Sequence, residues 1–231
     1  MKNIAIIPAR SGSKGLKNKN IKELNGKALL AYSVKAAKES NLFNEIMVST
    51  DSEKYAEIAR SFGANVPFLR SETNSGDKAG SWDVVLEVLN RYFEKGDKFA
   101  SVCLLQPTSP LRAAQDITGA YKLLDEKQAD AVTSVCEVDH SPLWTKTLPE
   151  NLSMADFRKE ANDRPRQQLP TYYRLNGAIY IRKIKYDKDN ISLLETNEFA
   201  YIMPREHSVD IDTELNFIIA EAIMNKQAKG N

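Results

Sequence analysis

Three stretches of the sequence concentrate side chains able to do chemistry. The first runs from Pro8 through Ala9, Arg10, Ser11, Gly12, Ser13, Lys14 and Gly15 to Lys17, Lys19 and Asn20. Glycines let backbone N–H groups approach phosphate oxygens, and arginine and lysine add fixed positive charge. The composition suits a polyphosphate, although the P-loop pattern and GxGxxG are both absent, which excludes those two fingerprints. The second stretch is QPTSPLR, where two prolines restrict φ and are expected to present Gln106, Ser109 and Arg112 with little freedom. The third is Asp210-Ile211-Asp212. Residues two apart on an extended segment face the same side, so both carboxylates can meet one point. Two carboxylates, with the other octahedral positions left to phosphate oxygens and water, make a magnesium arrangement. A lone DxD reads equally well as a helix cap beside a solvated acid; opposite a cationic loop it reads as a metal site.

Other polar residues carry less. Asp51, closing EIMVST, either bonds a ligand or caps the helix that follows. His140 and His207 have no Ser, Cys or metal-ligand partners at a recognisable spacing and are expected to be structural. Cys103 and Cys136 sit in apolar runs and read as buried thiols, with no zinc or disulfide spacing.

These stretches need elements to hold them. The 231 residues carry 32 Lys and Arg against 31 Asp and Glu, a formal charge of +1. That balance argues against nucleic-acid binding, which requires a basic excess. The balance is a sum over separated charges, since residues 1–22 hold six cations and no carboxylate. At 42% hydrophobic and 27% charged, the chain has a globular composition. Its N-terminal apolar run is too short for a signal peptide or a membrane span, and a cytoplasmic location is the expectation.

Strands are predicted at 4–7, 45–49, 66–69, 101–105, 131–138, 178–181 and 200–203. Helical spacing marks 29–38; Tyr55, Ile58, Ala59 and Phe62 with Gly63 as stop; Val85, Val88, Leu89 and Tyr92 with Ser81 as N-cap; and Ile117, Ala120, Tyr121 and Leu124. A last helix is predicted with Leu215, Ile218, Ile219 and Ala222 on its apolar face, and residues 226–231 as a frayed tail. Alternating strands and amphipathic helices imply an α/β fold, a mainly parallel sheet flanked by helices, with ligands beyond the strands' carboxyl ends. The proline-rich stretch 140–174 breaks the rhythm and is read as an arm or small subdomain within a single domain, 1–231.

Together, IPARSGSKGLKNKNI, VSTDSE, LQPTSPLR, PRQQLP, RLNGAIYI and SVDIDTEL, in this order, resemble the acylneuraminate cytidylyltransferase family over residues 3–223. The likeness is to bacterial forms without a fused esterase or phosphatase region. It implies a Rossmann-like nucleotide-diphospho-sugar transferase fold and a Mg2+-dependent reaction (Mn2+ serving in its place). In that reaction CTP and a nine-carbon 2-keto-3-deoxy sugar acid give the CMP-sugar and pyrophosphate. By resemblance, Ala9, Arg10, Ser13, Lys14, Asn20, Arg70, Ala79 and Ser81 hold the nucleotide, with Arg10, Lys14 and Lys19 on its phosphates. Gln106, Arg166, Arg174, Asn176 and Tyr180 line the sugar pocket, and Asp210 and Asp212 hold the metal. The resemblance also makes 140–174 a dimerisation arm and the protein a homodimer with shared active sites.

Leu193 and Leu194 stand where N-acetylneuraminate enzymes of the family carry an aromatic pair packing the acyl group from the neighbouring subunit. They keep an apolar wall without the flat face, so legionaminic or pseudaminic acid is the alternative substrate. Leu175 and Gly80 also depart from the family pattern. No side chain stands out as general base. A DxD-dependent glycosyltransferase and a non-catalytic nucleotide-binding module are the remote alternatives. The first usually carries its DxD mid-chain, and intact Arg10, Lys19, Asp210 and Asp212 argue against the second.

Overall fold

Ile4, Ile6 and their neighbours Ala5 and Ile7 are all fully buried, but against different partners. Side chains alternate across a strand, so a run apolar at every position must be covered on both faces. These residues form the strand β1 (Asn3–Pro8) of a computed structural model that describes residues 2–12, 16–76, 79–155, 157, 166–188 and 190–229. Ile4 and Ile6 pack with Val85, Val88 and Leu89 of the helix Ser81–Glu94, while Ala5 and Ile7 pack with Val34 and Ile117 on the opposite face.

The chain order is β1, the hairpin β2 (Glu23–Leu24) and β3 (Lys27–Ala28), α1 (Leu29–Ser40), β4 (Glu45–Ser49), α2 (Glu53–Ser61), α3 (Glu72–Ser75) and α4 (Ser81–Glu94). Then come β5 (Ser101–Leu104), α5 (Ala114–Glu126), β6 (Ala131–Glu137), β7 (Tyr173–Asp187), β8 (Asn190–Leu193), β9 (Glu198–Ile202) and α6 (Glu214–Lys229). The small β2–β3 hairpin turns on Asn25 and Gly26 at φ 47° and 73°, the positive-φ pair that a two-residue turn requires. The main sheet runs β4-β1-β5-β7-β6-β9, with β8 paired to β7. β1 is parallel to β4 and β5, and β6 to β9, whereas β7 runs against β5, β6 and β8. The mainly parallel, helix-flanked sheet is therefore present, and β7 is its exception.

Five expectations need correction. Residues 66–69 form no strand; the chain makes a single parallel bridge, Asn65 to Met47, because Pro67 interrupts the run. Ser81 does not cap α4 but begins it. Gly80 is the cap, and its N–H donates to the Asp83 carboxylate at 3.0 Å. Residues 226–229 continue α6 rather than fraying.

The apolar face of α6 is also different. Leu215, Ile218 and Ile219 are 65%, 54% and 40% exposed, while Phe217 and Ala220 are buried against Leu24, Leu29 and Ile211. The run FIIAEAIM is apolar at adjacent positions, so helical spacing fits two faces at once and only the partner surface chooses. β7 begins at Tyr173, five residues before the expected start, because Leu175 and Gly177 do not read as strand. Among the described residues of 140–174, short 3-10 turns occur at Pro142–Trp144 and Arg166–Gln168.

Candidate active site

β1 delivers the cationic loop, and three contacts hold the start of that loop. The Ala9 N–H donates to Ser49 O at 2.8 Å. Ser11 donates from both its N–H and its hydroxyl to the two Asp51 oxygens, each at 2.8 Å. Asn20 reaches back, its Nδ2 donating to Arg10 O at 3.0 Å. Asp51 thus neither caps α2 nor stands free for a ligand; it clamps the loop. Ala9 is itself fully buried, so only its backbone shapes the site.

The end of β4 adds Arg70, whose Nε donates to Ser49 Oγ at 3.0 Å and whose Nη2 donates to Ser49 O. Burial, with repulsion from Arg10, pushes this guanidinium down to about 10 despite attraction from Asp51 and Glu87. It remains a cation at neutral pH, and two mutually repelling cations favour an anionic ligand. Glu87 of α4 secures the adjoining turn by accepting from Ser71 N–H at 2.9 Å, Ser71 Oγ at 2.8 Å and Asn74 Nδ2 at 2.6 Å.

The acids arrive from the other side. Ile211 N–H donates to Thr108 O at 2.8 Å, pinning the 210–212 segment to the turn after β5. Burial raises the Asp210 pKa, as does Asp212, against the Thr108 hydrogen bond and the attraction of Lys19 and Arg174. Asp210 Oδ1 is buried with no partner among the described residues. Asp212 is mostly exposed, and its Oδ1 accepts from Lys19 Nζ at 2.9 Å. An orphaned carboxylate oxygen beside a second carboxylate fits a hard divalent cation that takes oxygen ligands. The helix-cap role falls to Thr213, whose Oγ1 accepts from Asn216 N–H at 3.3 Å.

These elements enclose a cleft of about 520 Å³, a size suited to a nucleotide. Arg10, Lys19, Asn20 and Arg70 line one side, Ala79 and Ser81 the rim, and Gln106, Asp210 and Asp212 the other side. Pro8, Val84, Pro107 and Thr108 complete the wall, and of these only Val84 lies outside the stretches marked in the sequence. A second cleft of about 630 Å³ shares Asp210 and Asp212 and is lined by Arg174, Arg205, Asn216 and Ile219.

Other expected residues lie elsewhere. Ser13 and Lys14 are outside the described residues, and of Arg166 only the backbone is described. Asn176 is 1% exposed and internally engaged: its Oδ1 accepts from Ser134 Oγ at 2.6 Å and its Nδ2 donates to Ser208 Oγ at 2.9 Å. It shapes β7 from within. Tyr180 is half-buried, edge-on to Trp82 at 6.3 Å, with Leu193 in the same cluster; burial and then the charge of Asp210, which lines both clefts, raise the Tyr180 pKa. The Leu194 N–H donates to Lys183 O at 2.9 Å. Ser109 and Arg112, expected to face a ligand, are instead buried, and the cleft receives Gln106 and Thr108. His207 is structural as expected, its Nδ1 2.9 Å from Asp116 Oδ2. Both cysteines are buried and free.

The sequence pattern missed Gly177. Its φ is +74°, and a Cβ there would lie 2.8 Å from Gln106 Oε1 and 3.6 Å from Asp210 Oδ2. Glycine inside a strand pattern is the available signal for such a close approach.

Comparison with known proteins identifies the family. A family model described as cytidylyltransferase matches residues 4–226. An N-acylneuraminate cytidylyltransferase of Escherichia coli O18:K1:H7 is 37% identical over 97% of this chain, which spans only 52% of that relative. A CMP-N,N'-diacetyllegionaminic acid synthase of Legionella pneumophila is 34% identical over 97% of both chains. A pseudaminic acid cytidylyltransferase of Campylobacter jejuni is 31% identical over 92% of both. Among solved structures, a CMP:2-keto-3-deoxy-manno-octonic acid synthetase complexed with CTP superposes with a TM-score of 0.68 at 15% identity, covering 98% of this chain and 100% of the other. A 4-diphosphocytidyl-2C-methyl-D-erythritol synthase of Anaerococcus prevotii gives 0.63 at 12%, covering 97% and 98%. At such identities the two superpositions speak for the fold alone. The family match, with the relatives covered over 97% and 92% of their length, places the chain in the cytidylyltransferase family.

Proposed function

We propose that this protein transfers the cytidylyl group of CTP to the anomeric hydroxyl of a nine-carbon 2-keto-3-deoxy sugar acid, an N-acylneuraminate, releasing pyrophosphate. One observation carries the reading: two clefts, one rich in cations and one holding Arg174, meet at Asp210 and Asp212. A donor and an acceptor placed in them would meet at the carboxylates.

In this mechanism the protein supplies position and charge rather than a covalent intermediate. Arg10, Lys19 and Arg70 draw in the triphosphate and offset charge growing on the departing pyrophosphate. By the family resemblance Ser13 and Lys14 join them. Ala79 and Ser81 shape the rim beside the nucleoside. Gln106 and Arg174 orient the acceptor, the guanidinium suiting its carboxylate. Asp210 and Asp212 would hold Mg2+, or Mn2+, which when bound neutralises phosphate charge as a Lewis acid. The chain acts as a single domain and as a homodimer, the 140–174 arm bringing each subunit's residues to its partner's site.

A second reading keeps the reaction and changes the sugar to legionaminic or pseudaminic acid. Leu193 and Leu194 support it, as does the likeness over 97% of both chains to the Legionella pneumophila relative. The deciding experiment measures pyrophosphate release with CTP and the other nucleotides across N-acetylneuraminate, legionaminate, pseudaminate and 3-deoxy-octulosonate. CTP-specific turnover of N-acetylneuraminate is the expected outcome. A preference for another nonulosonate selects the second reading, and no turnover of any acid overturns both.

A further inference from the structure

Arg112 is 3% exposed and makes no ion pair with a carboxylate among the described residues. The acid acting on it, Asp116, is already bonded to the Ala113 N–H and to His207. Burying a cation without a paired charge is unfavourable, and an apolar side chain of similar volume would fill the space at less cost. An apolar side chain could not, however, tie separate elements together. The guanidinium Nη1 donates to Ala178 O at 2.8 Å and to Gln106 O at 3.3 Å, and Nη2 donates to Ser33 Oγ. Ser33 Oγ in turn donates to Gln106 O at 3.2 Å. A rigid planar fork thus joins α1, the turn after β5, and β7.

The point it grips on β7 is irregular. The pairing of β6 with β7 jumps from Thr133↔Tyr180 to Val135↔Leu175, so 176–179 bulge opposite Ser134. Ala178 lies in that bulge next to Gly177, the residue pressed against Gln106 Oε1 and Asp210 Oδ2. Arg112 therefore bonds to the backbone of both Gln106 and the bulge, while Arg10 follows β1 and Arg70 is held by Ser49 of β4; Lys19 bridges to the acids through Asp212.

We propose that Arg112 is a positioning residue for the acceptor side of the active site, its fork setting the spacing between Gln106, the Gly177 bulge and Asp210. This rests on the cytidylyltransfer reading for its kinetic consequence but not for its structural one. Arg112→Lys keeps a cation and loses the fork. Ser33→Ala removes one of its acceptors and serves if the first variant fails to fold. Ile4→Val, in the core cluster that contains none of residues 176–179, is the control for lowered stability alone.

With Arg112→Lys, kcat per folded molecule is expected to fall by about tenfold or more and the acceptor KM to rise, since small misplacements of reacting groups carry penalties of this order. The affinity for CTP measured without acceptor changes less than the acceptor KM, because Arg10 and Arg70 are held at the ends of β1 and β4. Ser33→Ala shows the same pattern, weaker. Amide exchange at Ala178 and Ile179 rises in both variants above the Ile4→Val control. Unchanged kcat and acceptor KM, with only a lowered melting temperature, would overturn the assignment. Were the wild-type protein to turn over no sugar acid, the functional reading would fail by itself. The exchange rates would still decide whether Arg112 holds the bulge, rates equal to the control meaning that it does not.

Discussion

Asp210 and Asp212 stand two residues apart in unlike surroundings: one buried with an orphaned oxygen, the other largely exposed and bound by Lys19. Asp212 is thus the safer probe of chemistry, because little packing depends on it. Asp212→Asn is expected to cut turnover by roughly 10²-fold or more, the scale of lost charge stabilisation at a reacting centre, with the melting temperature nearly unchanged. Near-normal turnover in limiting Mg2+ would remove it from the metal site. Arg10 tests the opposite charge. Arg10→Ala should raise the KM for CTP with a smaller change for the acceptor, and unchanged CTP kinetics would take it out of the phosphate site. At this scale much was legible: an acid-free cationic loop and a DxD are composition, visible without coordinates. The roles of Asn176, Ser109 and Arg112 were not legible, since a polar side chain in a motif reads the same whether it faces a ligand or a carbonyl inside the fold.

β7 is the element on which the site turns. Running against β5 and β6, it brings its beginning, with Arg174 and the Gly177 bulge, to the edge where its neighbours end. A parallel strand would have put those residues at the far edge, away from Asp210. Gly177→Ala tests the bulge directly. A left-handed conformation costs a non-glycine residue about 1–2 kcal/mol, and the new methyl would crowd Gln106 Oε1 at 2.8 Å. Urea denaturation should show a loss of at least that size, with reduced turnover in the folded fraction; wild-type stability and turnover would mean that the bulge tolerates a side chain. Most other elements followed from periodicity, as with α2, whose stop Gly63 takes φ +87°. α6 did not, because its run of adjacent apolar residues left the face undetermined.

For the whole molecule, the sheet gathers the ends of β1, β4, β5 and β9 at one edge, and the two signs of charge meet there. Large apolar side chains remain exposed elsewhere, among them Leu148 and Leu152 of the 140–174 stretch and Leu215 and Ile218 of α6. These side chains are the candidates for the subunit contact that the proposed homodimer requires. Sedimentation should therefore give twice the chain mass, and Leu152→Glu with Met154→Glu should shift it toward the monomer and lower activity; a fully active wild-type monomer would contradict the shared-site arrangement.

Taken alone, the sequence determined which chemistry was available: six cations without an acid in residues 1–22, two carboxylates at 210 and 212, and alternating strands and helices to carry them. These are properties of local composition and period, which a chain displays without folding. Tertiary structure decided the rest: the reversal of β7, the inward turn of Arg112 and Asn176, and the buried face of α6. Each depends on what a distant segment places opposite, and burial then forces every polar group to find its partner there.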